Sequence, residues 1–210
     1  SSGDQRVLFD RYTSALITDL QRQVAAAPAA HGPLEPADDM PAPPERWPTV
    51  SSIFIGGGTP TLLGGARLQR ILGAVRTCLD VADDAEITVE CNPETADDQL
   101  FASLVAAGVT RLSLGAQSFT PSVLATLERQ HTAQRPLEAA AQARSAGIQR
   151  INLDLIYGTP GESDQDWEQT LATVVSAEVD HVSAYALTIH DNTSFGRAVG
   201  QGRLPPVDED

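Results

Sequence analysis

The sequence contains no lysine, only two cysteines and few aromatic side chains, which make up 5% of its residues. All 14 basic residues are arginine, and 28 acidic residues bring the formal net charge to −14. A surface of this charge is poorly suited to phosphate backbones, which argues against nucleic acid as a main partner. Two cysteines, Cys78 and Cys91, are too few for a disulfide framework or a metal site of their own. Both are expected to be core residues, because free cysteine behaves as a small hydrophobe.

Long apolar runs are also missing. No stretch approaches the roughly 18 apolar residues that a membrane-spanning helix needs, and no signal-peptide pattern is present. The sequence therefore predicts no transmembrane segment and a cytoplasmic protein. With 210 residues, of which 41% are hydrophobic, the chain is long enough for one domain with a sizeable core.

The order of predicted elements is regular apart from one region. A helix is predicted over Gln5–Ala27, followed by a surface loop at 28–48 that is rich in proline and alanine. Strands are predicted at Val50–Ile55, Glu86–Cys91, Arg111–Ala116, Arg150–Tyr157 and Asp180–Leu187. Helices are predicted at Leu63–Leu79, Ala96–Ala107, Ser122–Leu127, Pro136–Ser145 and Asp164–Ala177. This alternation indicates an α/β fold with a parallel sheet, either open or rolled into a barrel.

Four of the predicted strands carry apolar residues at alternate positions only, although parallel strands covered on both faces are usually apolar throughout. The other positions are polar or small: Thr88 and Glu90; Ser113, Gly115 and Gln117; Asn152 and Asp154; His181, Ser183 and Tyr185. Because side chains alternate across a strand, these polar sets are expected to converge on one shared surface. A polar inner face favours a wide or open barrel that holds a polar ligand.

A glycine run ends the first predicted strand. Gly56-Gly57-Gly58 follows the apolar residues of that strand and precedes Thr59 and Pro60, which suit the start of a helix. Glycine lets the backbone come close to a ligand and offer its N–H groups. The pattern is therefore strand, ligand-contacting loop, helix.

Charged and amide side chains lie at or near the ends of the later strands, where α/β folds bind their ligands. Glu90, Gln117 and Asp154 suit ribose hydroxyls or an ammonium group, and Arg129 could clamp a carboxylate. Together they predict a ligand with an amino acid end and a ribose end. Each has a simpler alternative: Glu90 could cap a helix or face solvent, and Arg129 could pair with a nearby acid. The histidines at 131, 181 and 190 show no ligand spacing and are expected to be structural.

Four segments at the strand ends occur in a distinctive order: IFIGGGTPTLL at Ile53–Leu63, VECNPE at Val89–Glu94, LGAQSF at Leu114–Phe119 and NLDLIYGTPG at Asn152–Gly161. In this combination they resemble the oxygen-independent coproporphyrinogen III oxidase family of radical S-adenosylmethionine (SAM) proteins. The LGAQSF segment and YALTI at Tyr185–Ile189 are closer to the HemW-like haem chaperone branch of that family. The resemblance begins near Arg6 and continues to the end of the sequence.

The resemblance implies a partial (β/α)6 barrel, here with about five parallel strands and the first strand missing, together with SAM and a [4Fe–4S] cluster. It implies that Gly57, Gly58 and Thr59 contact the methionine end of SAM. It further implies that Gln117, Arg129 and Asp154 line the methionine and ribose groups. Glu90 belongs to the same region, and the backbone at Thr188 meets the adenine.

One departure from the family is serious. The family holds its cluster with three closely spaced cysteines, and this sequence has no such motif. We therefore expect residues 1–210 to be a single core-domain fragment, with 190–210 starting the connection to a C-terminal region. Such a fragment would contain no catalytic residue and no metal site.

Three functions remain open at this point. The first is a haem chaperone that binds SAM and, in the full-length protein, a [4Fe–4S] cluster and haem, which it passes to haem-acceptor proteins. The second is an oxygen-independent coproporphyrinogen III oxidase, which converts propionates to vinyl groups in porphyrin biosynthesis. The third is a cluster-free binding module that keeps only the SAM pocket.

Overall fold

The computed structural model describes residues 2–30, 47–190 and 192–205 of the chain. Five parallel strands form one curled sheet, a half-barrel in which the strands follow one another in chain order. They are β1 (Val50–Ile55), β2 (Val81–Cys91), β3 (Arg111–Gln117), β4 (Arg150–Tyr157) and β5 (His181–Ala186). The predicted fold class, a partial barrel of five parallel strands, is confirmed.

Seven α-helices lie in the described part of the chain: α1 (Ser2–Ala30), α2 (Gly65–Cys78), α3 (Asp98–Ala106), α4 (Pro121–Thr126), α5 (Arg135–Ala146), α6 (Asp164–Ser176) and α7 (Ser194–Gly200). Two short 3₁₀ turns lie at Pro60–Leu63 and Pro93–Thr95. None of the described helices is long and apolar enough to cross a membrane. Most of the predicted surface loop at 28–48 lies outside the described residues, as do residues 206–210.

The main departures from the predicted elements are three. The single helix expected over Leu63–Leu79 is divided into a 3₁₀ turn and α2, because Gly64 between them has a φ of 79°. Strand β2 begins at Val81 rather than Glu86, since Val81 pairs with Val50 across an irregular register. Helix α7 was not predicted; the Thr193 side chain caps it by accepting a hydrogen bond from the Gly196 N–H at 3.0 Å.

The main core lies between the convex face of the sheet and the helices that cover it. Its largest fully buried side chains come from both layers: Leu68 and Leu72 of α2, Phe101 and Leu104 of α3, and Ile87, Leu112, Leu114, Ile151, Leu153 and Leu155 of the strands. These strand residues are the apolar alternate positions of the sequence. Burying them drives the sheet and helices together and leaves the polar positions on the other face.

The concave face gathers the polar positions as expected. Glu90 of β2 pairs with Ser113 of β3, Ser113 with Asn152 of β4, and Asn152 with His181 of β5, which forms one row across four strands. Asp154 pairs with Ser183 in the next row toward the carboxyl ends of the strands. The shared polar surface predicted from the alternation is therefore present.

Helix α1 packs against α2 beside β1. Arg67 joins the two helices, with Nε 2.8 Å from Asp10 Oδ1 and its guanidinium carbon 5.8 Å from the centre of the Phe9 ring. Between α1 and β1 runs an apolar groove of about 610 Å³, which we call the β1 groove. Leu8 on α1 and Phe54 on β1 line it, and each is 61% exposed.

Candidate functional site

A polar cleft of about 210 Å³ lies at the carboxyl ends of β2, β3 and β4. Its lining residues are Gly58, Thr59, Glu90, Cys91, Asn92, Ser113, Gly115, Gln117, Arg129 and Asp154. Six of the eight residues predicted from the sequence as SAM contacts are among them. The cleft is the place where the polar positions of three neighbouring strands meet the glycine loop after β1.

The glycine loop is tied to β2 by a hydrogen bond at the edge of the cleft. Gly57, with a φ of 88°, donates its backbone N–H to Glu90 Oε2 at 2.9 Å. This conformation is rarely adopted by residues with a β-carbon, which explains the need for glycine. Gly57 itself is exposed and does not line the cleft, whereas Gly58 and Thr59 do. The half-buried Glu90 thus accepts a hydrogen bond from the loop with Oε2, and Oε1 can accept one from a ligand.

Asp154 is held by a chain of polar side chains on the concave face. Ser113 Oγ donates to Asp154 Oδ2 at 2.8 Å, and Asn152 Nδ2 donates to Asp154 Oδ1 at 2.7 Å. Asn152 Nδ2 also donates to Ser113 Oγ at 2.7 Å, and Ser183 Oγ donates to Asn152 Oδ1 at 3.2 Å. Each carboxylate oxygen therefore accepts one bond and keeps further acceptor capacity for hydroxyl groups of a ligand.

Gln117 occupies the end of β3 in an unusual backbone conformation. The register between β3 and β4 shifts between Gly115 and Gln117, so that one extra residue, Ala116, lies in the β3 strand. Gln117 has a φ of 67°. A β-carbon on Gly115 would lie 2.9 Å from Gln117 Nε2, so a larger residue there would force the end of this side chain to move. A bulge of this kind re-aims a side chain, here toward the cleft.

Arg129 reaches the cleft from the loop after α4. That helix ends at Thr126, Glu128 after it has a φ of 55°, and the Arg129 N–H donates to the Leu124 carbonyl at 2.9 Å. This bond closes the helix end and sets the direction of the chain. The Arg129 guanidinium makes no hydrogen bond or ion pair within the described parts of the chain. An unpaired guanidinium beside a polar cleft is suited to a ligand carboxylate.

Thr188 and two of the histidines considered in the sequence lie outside the cleft. Thr188 follows the end of β5 by two residues, is exposed, and does not line the cleft. Its adenine contact therefore stays a prediction. Of the histidines, His131 is buried close to the site, while His181 and His190 are exposed. The sequence reasoning also did not single out Asn92 and Asn152 as site residues, although Asn152 appeared in the polar alternation.

The two cysteines differ in their surroundings. Cys91 lies in the core at the end of β2 and also lines the cleft, and burial raises the pKa of its thiol to about 11. It is therefore a neutral thiol at pH 7 and a poor nucleophile or metal ligand. Cys78, at the end of α2, is only half-buried, so the expectation of a core position was wrong for this residue. In the described residues no three His, Cys, Asp or Glu side chains are grouped to hold a metal ion.

Comparison with known proteins identifies the family. Residues 39–174, more than half of the chain, match the family model of the Radical SAM superfamily. The chain belongs to the radical SAM superfamily. The parallel half-barrel, the glycine loop after its first strand and the polar concave face are consistent with this assignment.

Two curated relatives and one solved structure are similar to this radical SAM chain. It is 50% identical over 163 residues to the "Heme chaperone HemW" of Mycobacterium tuberculosis, which covers 78% of this chain and 42% of that protein. It is 38% identical over 190 residues to the HemW of Escherichia coli K12, with coverage of 90% and 46%. The E. coli coproporphyrinogen III oxidase (HemN) structure has a TM-score of 0.75 at 26% identity, and the match covers 96% of this chain and 43% of HemN. The chain thus spans less than half the length of these relatives.

The superfamily implies SAM and a [4Fe–4S] cluster, and the residues present fit the two groups differently. The cleft offers two carboxylates, an amide, an unpaired guanidinium and a glycine loop, which is a donor set suited to the amino acid and ribose groups of SAM. Iron–sulfur clusters are held by cysteine thiolates, usually four. The two cysteines of this sequence, one of them buried and neutral, do not provide such a set.

Proposed function

We propose that this chain forms the SAM-binding half-barrel of a haem chaperone of the radical SAM type. The observation that carries the proposal is the Arg129 guanidinium, which has no hydrogen-bond or ion-pair partner among the described residues and lies at the same cleft as Glu90, Gln117 and Asp154. A cation without a partner beside acceptors for hydroxyl and ammonium groups matches a ligand that has both a carboxylate and a ribose. The relatives named HemW, at 50% and 38% identity, support the chaperone over other radical SAM proteins.

Each site residue has a part in this proposal. Arg129 binds the carboxylate of the methionine end of SAM, and the free oxygen of Glu90 accepts from its ammonium group or a nearby hydroxyl. Asp154 and Gln117 bind the ribose hydroxyls. The loop at Gly57, Gly58 and Thr59 closes the methionine side, and Thr188 supplies the adenine contact.

SAM and an iron–sulfur cluster together supply radical chemistry in this superfamily. The cluster, haem and haem-acceptor proteins belong to the proposal for the whole protein, in which residues 1–210 form a core domain. A cytoplasmic location is part of the same proposal.

The SAM site is tested by calorimetry on the whole protein. Asp154→Asn and Arg129→Gln are each expected to weaken SAM binding about tenfold or more, because hydrogen bonds to charged groups contribute about 1.5–3 kcal/mol. The matched control is Asp164→Asn, which changes an exposed aspartate at the start of α6. Equal dissociation constants for Asp154→Asn and Asp164→Asn would remove the proposed site.

A second candidate function is the oxidative decarboxylation of coproporphyrinogen III, favoured by the similarity to the HemN structure over 96% of this chain. The two functions are separated by expressing the whole protein without oxygen and reconstituting its cluster. A chaperone is expected to retain haem, seen by its Soret absorbance, and to leave coproporphyrinogen unchanged. Formation of a vinyl product would instead assign the oxidase.

A further inference from the structure

The bulge that aims Gln117 places one buried residue, Ala116, outside the residue pairing of β3 and β4. Ala116, which is fully buried, is the extra residue of the bulge and has no partner in β4. Its carbonyl instead accepts hydrogen bonds from the Ser118 N–H at 2.8 Å and from His131 Nε2 at 3.1 Å. Because a carbonyl oxygen only accepts, Nε2 is the nitrogen that carries hydrogen in this contact.

The His131 ring lies between three separate segments around the cleft. Its side chain is 1% exposed, and Nδ1 lies 3.6 Å from Glu94 Oε1 in the turn after β2. The same Glu94 oxygen accepts the backbone N–H of Gln130 at 3.0 Å. The ring therefore lies between the end of β3, the turn after β2 and the loop after α4.

Two proposed SAM contacts depend directly on the segments that the ring joins. Gln117 is covalently bonded to Ala116, and Arg129 precedes His131 by two residues. We propose that His131 is a positioning residue that holds the β3 bulge and the loop after α4 together, and so sets the places of Gln117 and Arg129. This inference rests on the SAM site proposed above, and it concerns the geometry of that site rather than contact with the ligand.

A histidine that only filled space would need no donor at this place. Gln117 directly follows Ala116, and Glu128 precedes His131 by three residues. Both have a left-handed backbone, with φ values of 67° and 55°. Such conformations persist when surrounding bonds fix them. Ala116 and His131, which this bond joins, flank these two positions in the sequence, and the bond is the only side-chain bond to the Ala116 carbonyl within the described residues.

The test compares two substitutions by amide hydrogen exchange and by SAM calorimetry on the whole protein. His131→Phe keeps a flat ring but removes the donor, whereas His131→Gln places an amide N–H near the position of Nε2. We expect His131→Phe to speed exchange of the Gln130 amide and to weaken SAM binding, each about tenfold. His131→Gln is expected to restore both to within about threefold of the original protein.

Ile148→Val is the matched control, because Ile148 is 2% exposed in the core and lies away from the cleft. It lowers the melting temperature without changing either readout. If His131→Phe does not fold, His131→Asn, whose shorter side chain does not reach Ala116, takes its place. Unchanged exchange in the donor-free variant, or equal losses in the Gln and Phe variants, would overturn the positioning role. Absence of SAM binding in the original protein would overturn the proposed site, while the exchange measurement would still decide the role of His131.

Discussion

Asn152 and Leu153 are neighbours in β4 and are equally hidden from solvent, at 1% and 0% exposure, yet they lie on opposite faces of the sheet. Leu153 faces the convex side and packs in the main core. Asn152 faces the concave side and bonds to Ser113, Asp154 and Ser183. Leu153 stabilises the fold through buried apolar area, and Asn152 does so through directional hydrogen bonds.

The difference between the faces separates stability from binding. Apolar packing is non-directional and is shared by many side chains, so the convex face tolerates small adjustments. The concave network has few members and fixed geometry, and each loss leaves a polar atom without a partner. The concave face is thus expected to respond to substitution mainly in ligand affinity, and the convex face mainly in free energy of unfolding.

The largest expected effect is on the convex face. Leu153→Ala removes a fully buried side chain and should lower the free energy of unfolding by about 2–5 kcal/mol. Urea denaturation followed by circular dichroism measures this change. SAM affinity, measured at a temperature where the variant is folded, should stay within about threefold of the original. A loss below about 1 kcal/mol would contradict the assignment of Leu153 to a tightly packed core.

Substitution of Asn152, the neighbour of Leu153, is expected to lower stability less and to affect SAM binding more. Asn152→Ala removes the donor to Asp154 Oδ1 and should lower stability by about 1–2 kcal/mol while weakening SAM binding about tenfold. Ser183→Ala is the control, because it removes a bond to Asn152 but leaves both bonds to Asp154. If the two variants bind SAM equally, the network does not orient Asp154.

The smallest effect concerns a carboxylate that supports the fold rather than the cleft. The pKa of Asp180 is lowered, first by the hydrogen bond from the Ile151 N–H at 2.8 Å and then by Arg144. A depressed pKa stabilises the fold above the unfolded value, about 3.9, and the contribution is lost as the pH falls through the folded value.

Asp180→Asn should therefore lower the melting temperature slightly at pH 7, and the difference should shrink as the pH falls below about 4 and vanish once the pH is below the folded pKa. SAM affinity at pH 7 should be unchanged, in contrast to Asp154→Asn. A difference in melting temperature that does not shrink between pH 7 and pH 3 would show that the charge of Asp180 is not the cause.

The fold was largely predictable from the sequence because alternation and helix-ending signals are local. The bounds of β1 and β4 agree with the prediction, since β1 ends in an apolar run, β4 is apolar at alternate positions, and breaks bound both strands. The early start of β2 was missed, because Asp83 and Asp84 interrupt the apolar pattern and only pairing with β1 extends the strand. The division at Gly64 was missed because its positive φ depends on the turn around it.

The site was predictable in its residue types but not in its supports. The sequence shows Glu90, Gln117 and Asp154 as polar residues at strand ends, and all three line the cleft. The contribution of His131 was not visible, because it depends on a carbonyl that a bulge removes from the sheet. No spacing in the sequence encodes such a contact, so this histidine was expected to be structural only.

The chain order of the strands has a consequence for how the protein is made. Among the described strands, β2 to β5 each pair with the strand synthesised immediately before, so this part of the sheet can grow in chain order as the chain leaves the ribosome. Each addition closes one strand–helix–strand loop, and none of the described strands pairs first with a strand later in the sequence. The cleft residues of β2 and β3 are thus in register before β4 adds Asp154 to the cleft and Asn152 beside it.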